Sequence, residues 1–268
     1  MIPPPRLLLR GADHARFGEV TTVALGRSAG AISAGGDRLD GARGAKQGMA
    51  VPNEDALLIV ERGSRTLLAV ADAHWGHESS HVLLERLANT TGDGELPDGV
   101  PDLQRVVAGL ADPADEPTAS STDVGDSETT LLVAVVDHAE RQLFAVGFGD
   151  SGLFVARRQW AGFRVTRHDR PDHHYVSPRT PATLAARHAS TLEVELATGD
   201  IVMLCTDGVH ECRYHDPAHS LGTAELAAVF AGGGSPEDLA DRVAAAALAG
   251  IPGWPGGQDN LAIALTRA

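Results

Sequence analysis

Four short apolar runs, each closing on an aspartate, do most to limit what this chain can become: "TLLAVAD" (66–72), "TTLLVAVVD" (129–137), "RQLFAVGFGD" (141–150) and "DIVMLCTD" (200–207). They have the length of strands, are bounded by Gly and Asp, and lack the 3.6-residue spacing of a surface helix, so they read as buried strands. "TLEVELATGD" alternates, with Leu192, Val194 and Leu196 on one side and Glu193 and Glu195 on the other. It reads as a half-solvated strand turning at Thr198-Gly199 into the next one. Helical spacing occurs at Val82, Leu83 and Leu87. A second helix is signalled by Ser235 as N-cap and Pro236 at the first helical position, burying Leu239, Val243 and Ala247. Residues 112–127 are polar and contain proline, as a loop would. Strands in adjacent pairs joined by short turns predict antiparallel sheets with helices outside, an α+β architecture rather than a parallel doubly wound one.

The chain has 268 residues, 43% of them hydrophobic and 22% charged, enough for a substantial core and inconsistent with wholesale disorder. A formal charge of −14 disfavours a nucleic-acid partner, because phosphate backbones attract the opposite sign. Two cysteines, Cys205 and Cys212, cannot build a disulfide scaffold or a four-thiolate zinc site. In the opening "MIPPPRLLLRGADHARFGE" the run of three leucines before arginine is too short for a signal-peptide core, and no later run is long and apolar enough to span a bilayer. The expectation is a cytoplasmic protein with no membrane partner. Residues 1–19 are expected as a leader, poorly ordered or packed on the surface, and 20–268 as the folded domain.

Three chemistries compete for "GFGDSGLF" (147–154). A dinucleotide loop needs a helix after its glycines to hold the pyrophosphate, and "GLFVARRQW" has strand-like alternation instead. A serine-protease reading would pair Ser151 with His74, but "GDSG" running straight into "LFVARR" leaves no loop to aim oxyanion-binding N–H groups. The third reading makes Asp150 one carboxylate of a cluster. Asp72, Asp150 and Asp207 each end an apolar run, and Asp259 precedes another, "NLAIALTRA". One such aspartate is ordinarily a turn former. Several at one rim of a sheet pair cannot all stay ionised without cations between them, and hard oxygen ligands suit Mg²⁺ or Mn²⁺. Metal-assisted hydrolysis is therefore the favoured chemistry. His74, His77 and His81 also leave a zinc site open as a minor alternative.

Taken in order, "PNEDALL", "VADAHWGHES", "DSETTLLVAVV", "GFGDSGLFVAR", "GDIVMLCTDGVHE" and "GGQDNLAIAL" resemble the motif series of the metal-dependent protein phosphatases, the protein phosphatase 2C family. The resemblance runs from about residue 20 to the C-terminus. It implies an α-β-β-α sandwich with two central antiparallel sheets and a binuclear Mn²⁺/Mg²⁺ site. The implied activity is hydrolysis of phosphoserine and phosphothreonine by a water bridging the two metals. By the same resemblance Asp72 would bridge the ions, with the Ala73 carbonyl coordinating one and Asp207 and Asp259 the other. Glu54 and Asp55 would support the site through water, Asp150 and Glu211 would join Asp207 in a weaker third metal site, and His74 would be the general acid. Ser151 and the cysteines would stand outside the chemistry. The substrate would be a phosphorylated protein, with a cognate kinase as a candidate partner.

Several positions depart from the family pattern. "DAHWGH" stands for "DGHGG", placing a Cβ at Ala73 in what is expected to be a tight turn and a large ring at Trp75. The phosphate-gripping arginine is replaced by Ala50, with Lys46 or Arg43 as candidate substitutes. "SETT" replaces "SGTT", and the flap around "RPDHHYVSPRTP" is short. The alternative these departures raise is a pseudophosphatase or regulatory binding module.

Overall fold

The structure is a computed structural model that describes residues 5–39, 41–111, 126–168, 174–214 and 216–268. Residues 112–125 of the loop predicted at 112–127, and residues 169–173 of the flap with His173, lie outside the described residues.

The first sheet contains β1 (Arg6–Arg10), β4 (Asp55–Arg62), β5 (Arg65–His74), β6 (Glu128–Thr129), β7 (Leu131–Asp137), β8 (Gln142–Phe148) and β11 (Ser190–Glu195). Its order is β1-β4-β5-β7-β8-β11, with the short β6 pairing with the end of β5. The second contains β2 (Thr21–Leu25), β3 (Ser28–Ser33), β9 (Gly152–Gln159), β10 (Gly162–Arg167), β12 (Ile201–Cys205) and β13 (Leu261–Arg267), in the order β10-β9-β12-β13-β3-β2. The strand pairs are antiparallel throughout.

Side-chain alternation turns these sheets into layers. On β4, Leu57 and Ile59 point inward, with Leu68 and Val70 of β5, to meet Ile32, Val202, Leu204, Ala262 and Ala264 of the second sheet. Ala56, Leu58 and Val60 point outward against Leu83, Leu84 and Leu87 of α1 (Glu78–Asp93) and Leu103 and Val107 of α2 (Val100–Leu110), a cluster that Ala185 of α3 (Ala182–His188) joins. The second sheet's outer face packs on α5 (Thr223–Ala231) and α6 (Pro236–Leu248) through Leu226, Phe230, Leu239, Val243 and Ala247. Both faces of each sheet are covered, so the central strands read as unbroken apolar runs. The result is the expected α-β-β-α sandwich. Ser235 caps α6 as predicted, closing a reciprocal capping box with Asp238.

Two expectations meet a different outcome. From Arg6 the leader is an edge strand, because its leucines alternate: Leu7 and Leu9 face the inter-sheet core and Leu8 the helical side. Arg10 adds an ion pair to Glu85 of α1 at 2.8 Å. The turn at Thr198-Gly199 does not make a hairpin. β11 pairs with β8 in the first sheet and β12 with β9 and β13 in the second, so the chain crosses the sandwich there. Asp200 is fixed to the second sheet by Arg157 of β9 at 2.7 Å. Among the described residues no helix is long and apolar enough to cross a membrane.

Candidate functional site

The carboxylates converge at one end of the sandwich because strand ends from both sheets meet there. Asp55 and Asp72 are directly opposed partners at the open end of the β4–β5 ladder. From the second sheet come Asp207, which opens the single turn of α4 (Asp207–His210) after β12, and Asp259, two residues before β13. Glu54 precedes β4. All five are buried. Asp150 lies in the β8–β9 connection and is close enough to act electrostatically on Asp207. Glu211 closes the α4 turn, donating its backbone N–H to the Asp207 carbonyl at 2.6 Å.

A polar scaffold fixes these groups. Thr206 Oγ1 donates to Asp55 Oδ2 at 2.7 Å, while Asp55 Oδ1 is buried without a partner, as is Asp207 Oδ1. The Asp72 N–H donates to Thr130 Oγ1 at 3.0 Å, and that hydroxyl meets Ser151 Oγ at 2.8 Å. Asn260 is the hub. Its Nδ2 donates to the carbonyls of Ala34 (3.0 Å) and Pro52 (2.9 Å), and its Oδ1 accepts from the Glu54 N–H (3.0 Å) and Lys46 Nζ (2.9 Å). Gly208 is required here: a Cβ would fall 1.8 Å from the Asn260 carbonyl oxygen.

Crowding acids away from water raises their pKa values. Burial pushes Asp55 up to about 8, with Asp259 and Asp207 adding to the rise against Thr206 and Lys46. Asp72 and Asp207 are held well above the ordinary range, chiefly by burial and then by neighbouring carboxylates. Lys46 is the opposite charge. Burial disfavours its ammonium, but Asp259, Asp72 and Glu54 outweigh that and raise its pKa. The field reaches Tyr175, pushed up to about 12 by partial burial and then by Asp150, Asp72 and Asp207. Tyr175 packs on His74, with ring centroids 4.9 Å apart, and His74 Nδ1 is buried without a partner.

A family model described as stage II sporulation protein E (SpoIIE) matches residues 102–267, well over half of the chain. The chain belongs to the SpoIIE family. Its fold is that of the metal-dependent protein phosphatases. The catalytic domain of the serine threonine protein phosphatase PstP, in complex with 2 manganese ions, is 19% identical, with a TM-score of 0.61 over 93% of this chain and 99% of that one. RsbX in complex with magnesium is 12% identical, with a TM-score of 0.55 over 93% and 99%. The phosphatase MsPP from Mycobacterium smegmatis, in complex with cacodylate, is 17% identical, with a TM-score of 0.55 over 94% and 99%. No curated protein sequence matches significantly.

In this SpoIIE-family chain the expected strain at Ala73 is absent. Ala73 is extended within β5, paired with Thr129, and the turn falls on Trp75 (φ 61°) and Gly76 (φ 125°). Trp75 is 73% exposed and holds a left-handed conformation that costs an L-residue about 1–2 kcal/mol. Trp75→Gly is therefore expected to raise the melting temperature by about 2–4 °C, after allowing for glycine's greater unfolded-state entropy. A lower melting temperature in differential scanning fluorimetry would mean that the ring's packing near His74 outweighs the strain.

The His77 and His81 rings lie 4.8 Å apart and tilted to each other, whereas His74 turns to Tyr175, so the histidine triplet is divided. Among the described residues no group of three acidic, histidine or cysteine side chains is arranged to hold a metal ion as it stands. His174 stacks on His188 at 3.9 Å, and Cys205 and Cys212 are buried and form no disulfide. Of the two substitutes for the missing arginine, the Arg43 side chain lies outside the described residues, and Lys46 reaches the carboxylates. Sequence reasoning overlooked Thr130 and Thr206, although each sits beside an aspartate-bearing strand end, and it treated Ser151 as a bystander. Ser151 is instead a support, holding the hydroxyl that fixes the Asp72 backbone.

These shifts predict a pH response for the metal-free protein. A carboxyl whose folded pKa is raised contributes stability below its unfolded pKa and loses it as pH rises through the folded value. His81 and His210, pushed down by burial to about 4 and about 3, act oppositely, destabilising the fold as pH falls below about 6.5. Between pH 6.5 and 8 the acids act alone, with Asp55 losing its proton at about 8. The melting temperature in EDTA should fall across that window. A flat or rising profile would show that the cluster is not strained.

Proposed function

We propose that this chain is a Mn²⁺- or Mg²⁺-dependent serine/threonine protein phosphatase acting on phosphorylated proteins. The observation that carries this reading is the set of buried carboxylates from both sheets, with unpartnered oxygens on Asp55 and Asp207. An all-oxygen donor set with surplus negative charge fits hard divalent cations. Asp72, the Ala73 carbonyl, Asp207 and Asp259 would hold the ions, with Glu54 and Asp55 behind them and Asp150 and Glu211 available to a weaker additional ion. Bound there, the ions would supply charge compensation and a water acidified toward neutral pH.

The chain's own groups do the rest. Thr130, Ser151 and Thr206 keep Asp72 and Asp55 aimed at the seam between the sheets. His74, at the rim of the cluster and braced by Tyr175, would carry the proton that the departing serine or threonine oxygen needs, a role typically worth about 10²–10⁴-fold. Ser151 is buried and engaged with Thr130, which argues against its acting as a nucleophile. The test is phosphate release from phosphoserine and phosphothreonine peptides with Mn²⁺, with Mg²⁺ and with EDTA. Mn²⁺ or Mg²⁺ should also raise the melting temperature by mass action, and EDTA should reverse it. Metal-independent melting and no phosphate release would sink the reading.

A further inference from the structure

Lys46 is the sole lysine of the chain, and the other 21 basic side chains are arginines. It projects from a short helical turn at Gly41–Gly48, and its side chain is only 13% exposed. Nζ lies 2.7 Å from Asp259 Oδ1, 2.9 Å from Asn260 Oδ1 and 3.2 Å from Glu54 Oε2. Three oxygens thus meet an ammonium that has three hydrogens to donate. A guanidinium is a planar fork suited to paired acceptors, whereas an ammonium is a compact point charge that oxygens surround on several sides. The one place where the chain uses lysine is the place where the bound positive charge is shaped most like a small metal ion.

We propose that Lys46 is a resident cation occupying part of the divalent-ion seat between Asp259 and Glu54, and that an incoming metal must displace it. The inference rests on the metal-dependent reading above, since it takes the same carboxylates as cation ligands. It makes metal loading a competition: Asp259 and Glu54 exchange an ammonium for a divalent ion, and Lys46 moves out of the cluster. Asp259 and Glu54 both face the ammonium in the metal-free protein. Metal affinity is then set partly by the strength of this internal ion pair.

Because there is one lysine, amine chemistry reads its position directly. Reductive methylation of the full chain, followed by peptide mass spectrometry, should label Lys46 slowly in EDTA and at least roughly tenfold faster in saturating Mn²⁺. Isothermal titration calorimetry with Mn²⁺ supplies the second arm. Lys46→Met keeps the length and removes the charge, and it should tighten Mn²⁺ binding roughly five- to a hundredfold, the usual range for coupled sites. Labelling no faster when Mn²⁺ is bound, or Lys46→Met binding no tighter than the unmodified chain, overturns the proposal. The labelling arm decides alone if Lys46→Met fails to fold. Absence of Mn²⁺ binding to both proteins overturns the metal-dependent reading itself, a result distinct from binding without displacement.

Discussion

Asp207→Asn should all but abolish phosphate release and, in EDTA at pH 8, melt at a higher temperature than the unmodified chain. The two effects share one cause. Asp207 is buried against the Asp72 carboxyl, with Oδ1 unpartnered and its pKa held up by burial and by Asp72, Asp259 and Asp150. Asparagine has nearly the same shape and no charge, so it removes a like-charge contact that the metal-free protein must tolerate. Relief of about 1–2 kcal/mol is ordinary for such a group and corresponds to roughly 3–6 °C in a chain of this size. The same change removes a negative ligand, and a loss of about 10³-fold in turnover corresponds to about 4 kcal/mol of transition-state stabilisation. Activity within tenfold of the unmodified protein, or a lower melting temperature in EDTA, would remove Asp207 from the centre of the site.

Asn260→Ala should be the most damaging single change to the fold around the site. Its side chain joins the end of β3 at Ala34, the loop at Pro52, the Glu54 backbone and Lys46 through four hydrogen bonds. Alanine leaves several buried groups unsatisfied, at about 1–3 kcal/mol each with partial relaxation. The expected loss is about 3–5 kcal/mol, roughly 10 °C in melting temperature. Asn260→Asp separates the causes, because it keeps the acceptors and loses the two donated bonds. If Asn260→Ala melts within about 2 °C of the unmodified protein, the hub does not hold the loops together.

The sandwich was legible because burial on two sides leaves a simple mark: long apolar runs with an acid where each emerges. Asp72, Asp150, Asp207 and Asp259 could be picked out for that reason, and the capping box of α6 for an equally local one. What stayed hidden depends on distance. Nothing in "TLEVELATGD" says whether the strand after Gly199 pairs beside it or across the core, because the tie between Arg157 and Asp200 spans 43 residues. The leucines at 7–9 were discounted behind three prolines, although their alternation fits an edge strand. Lys46 was identified as a cation near the site, but its partner Asp259 lies 213 residues away. The destination of a long, flexible side chain is set by the charge it finds.

The two ends of β4 are fastened very differently. At Glu61, about 20 Å from Asp55 along the strand, the carboxylate accepts from Ser28 Oγ at 2.7 Å and from the Arg27 N–H at 3.0 Å, joining the first sheet to the second. At the Asp55 end mutually repelling acids face each other across the sheets, and the ties there are the Thr206 hydroxyl on Asp55, the Asn260 side chain on the Glu54 N–H and the Lys46 ammonium between Glu54 and Asp259. The sandwich resembles a clothes peg, clipped at Glu61 and with its repelling acids gathered at the opposite jaw. Amide exchange in the metal-free protein should accordingly run fastest at Asp72 and Thr206 and slow toward Thr66 and Thr266. A cation in the jaw would then do more than complete a catalytic site: it would make the two sheets move as one body.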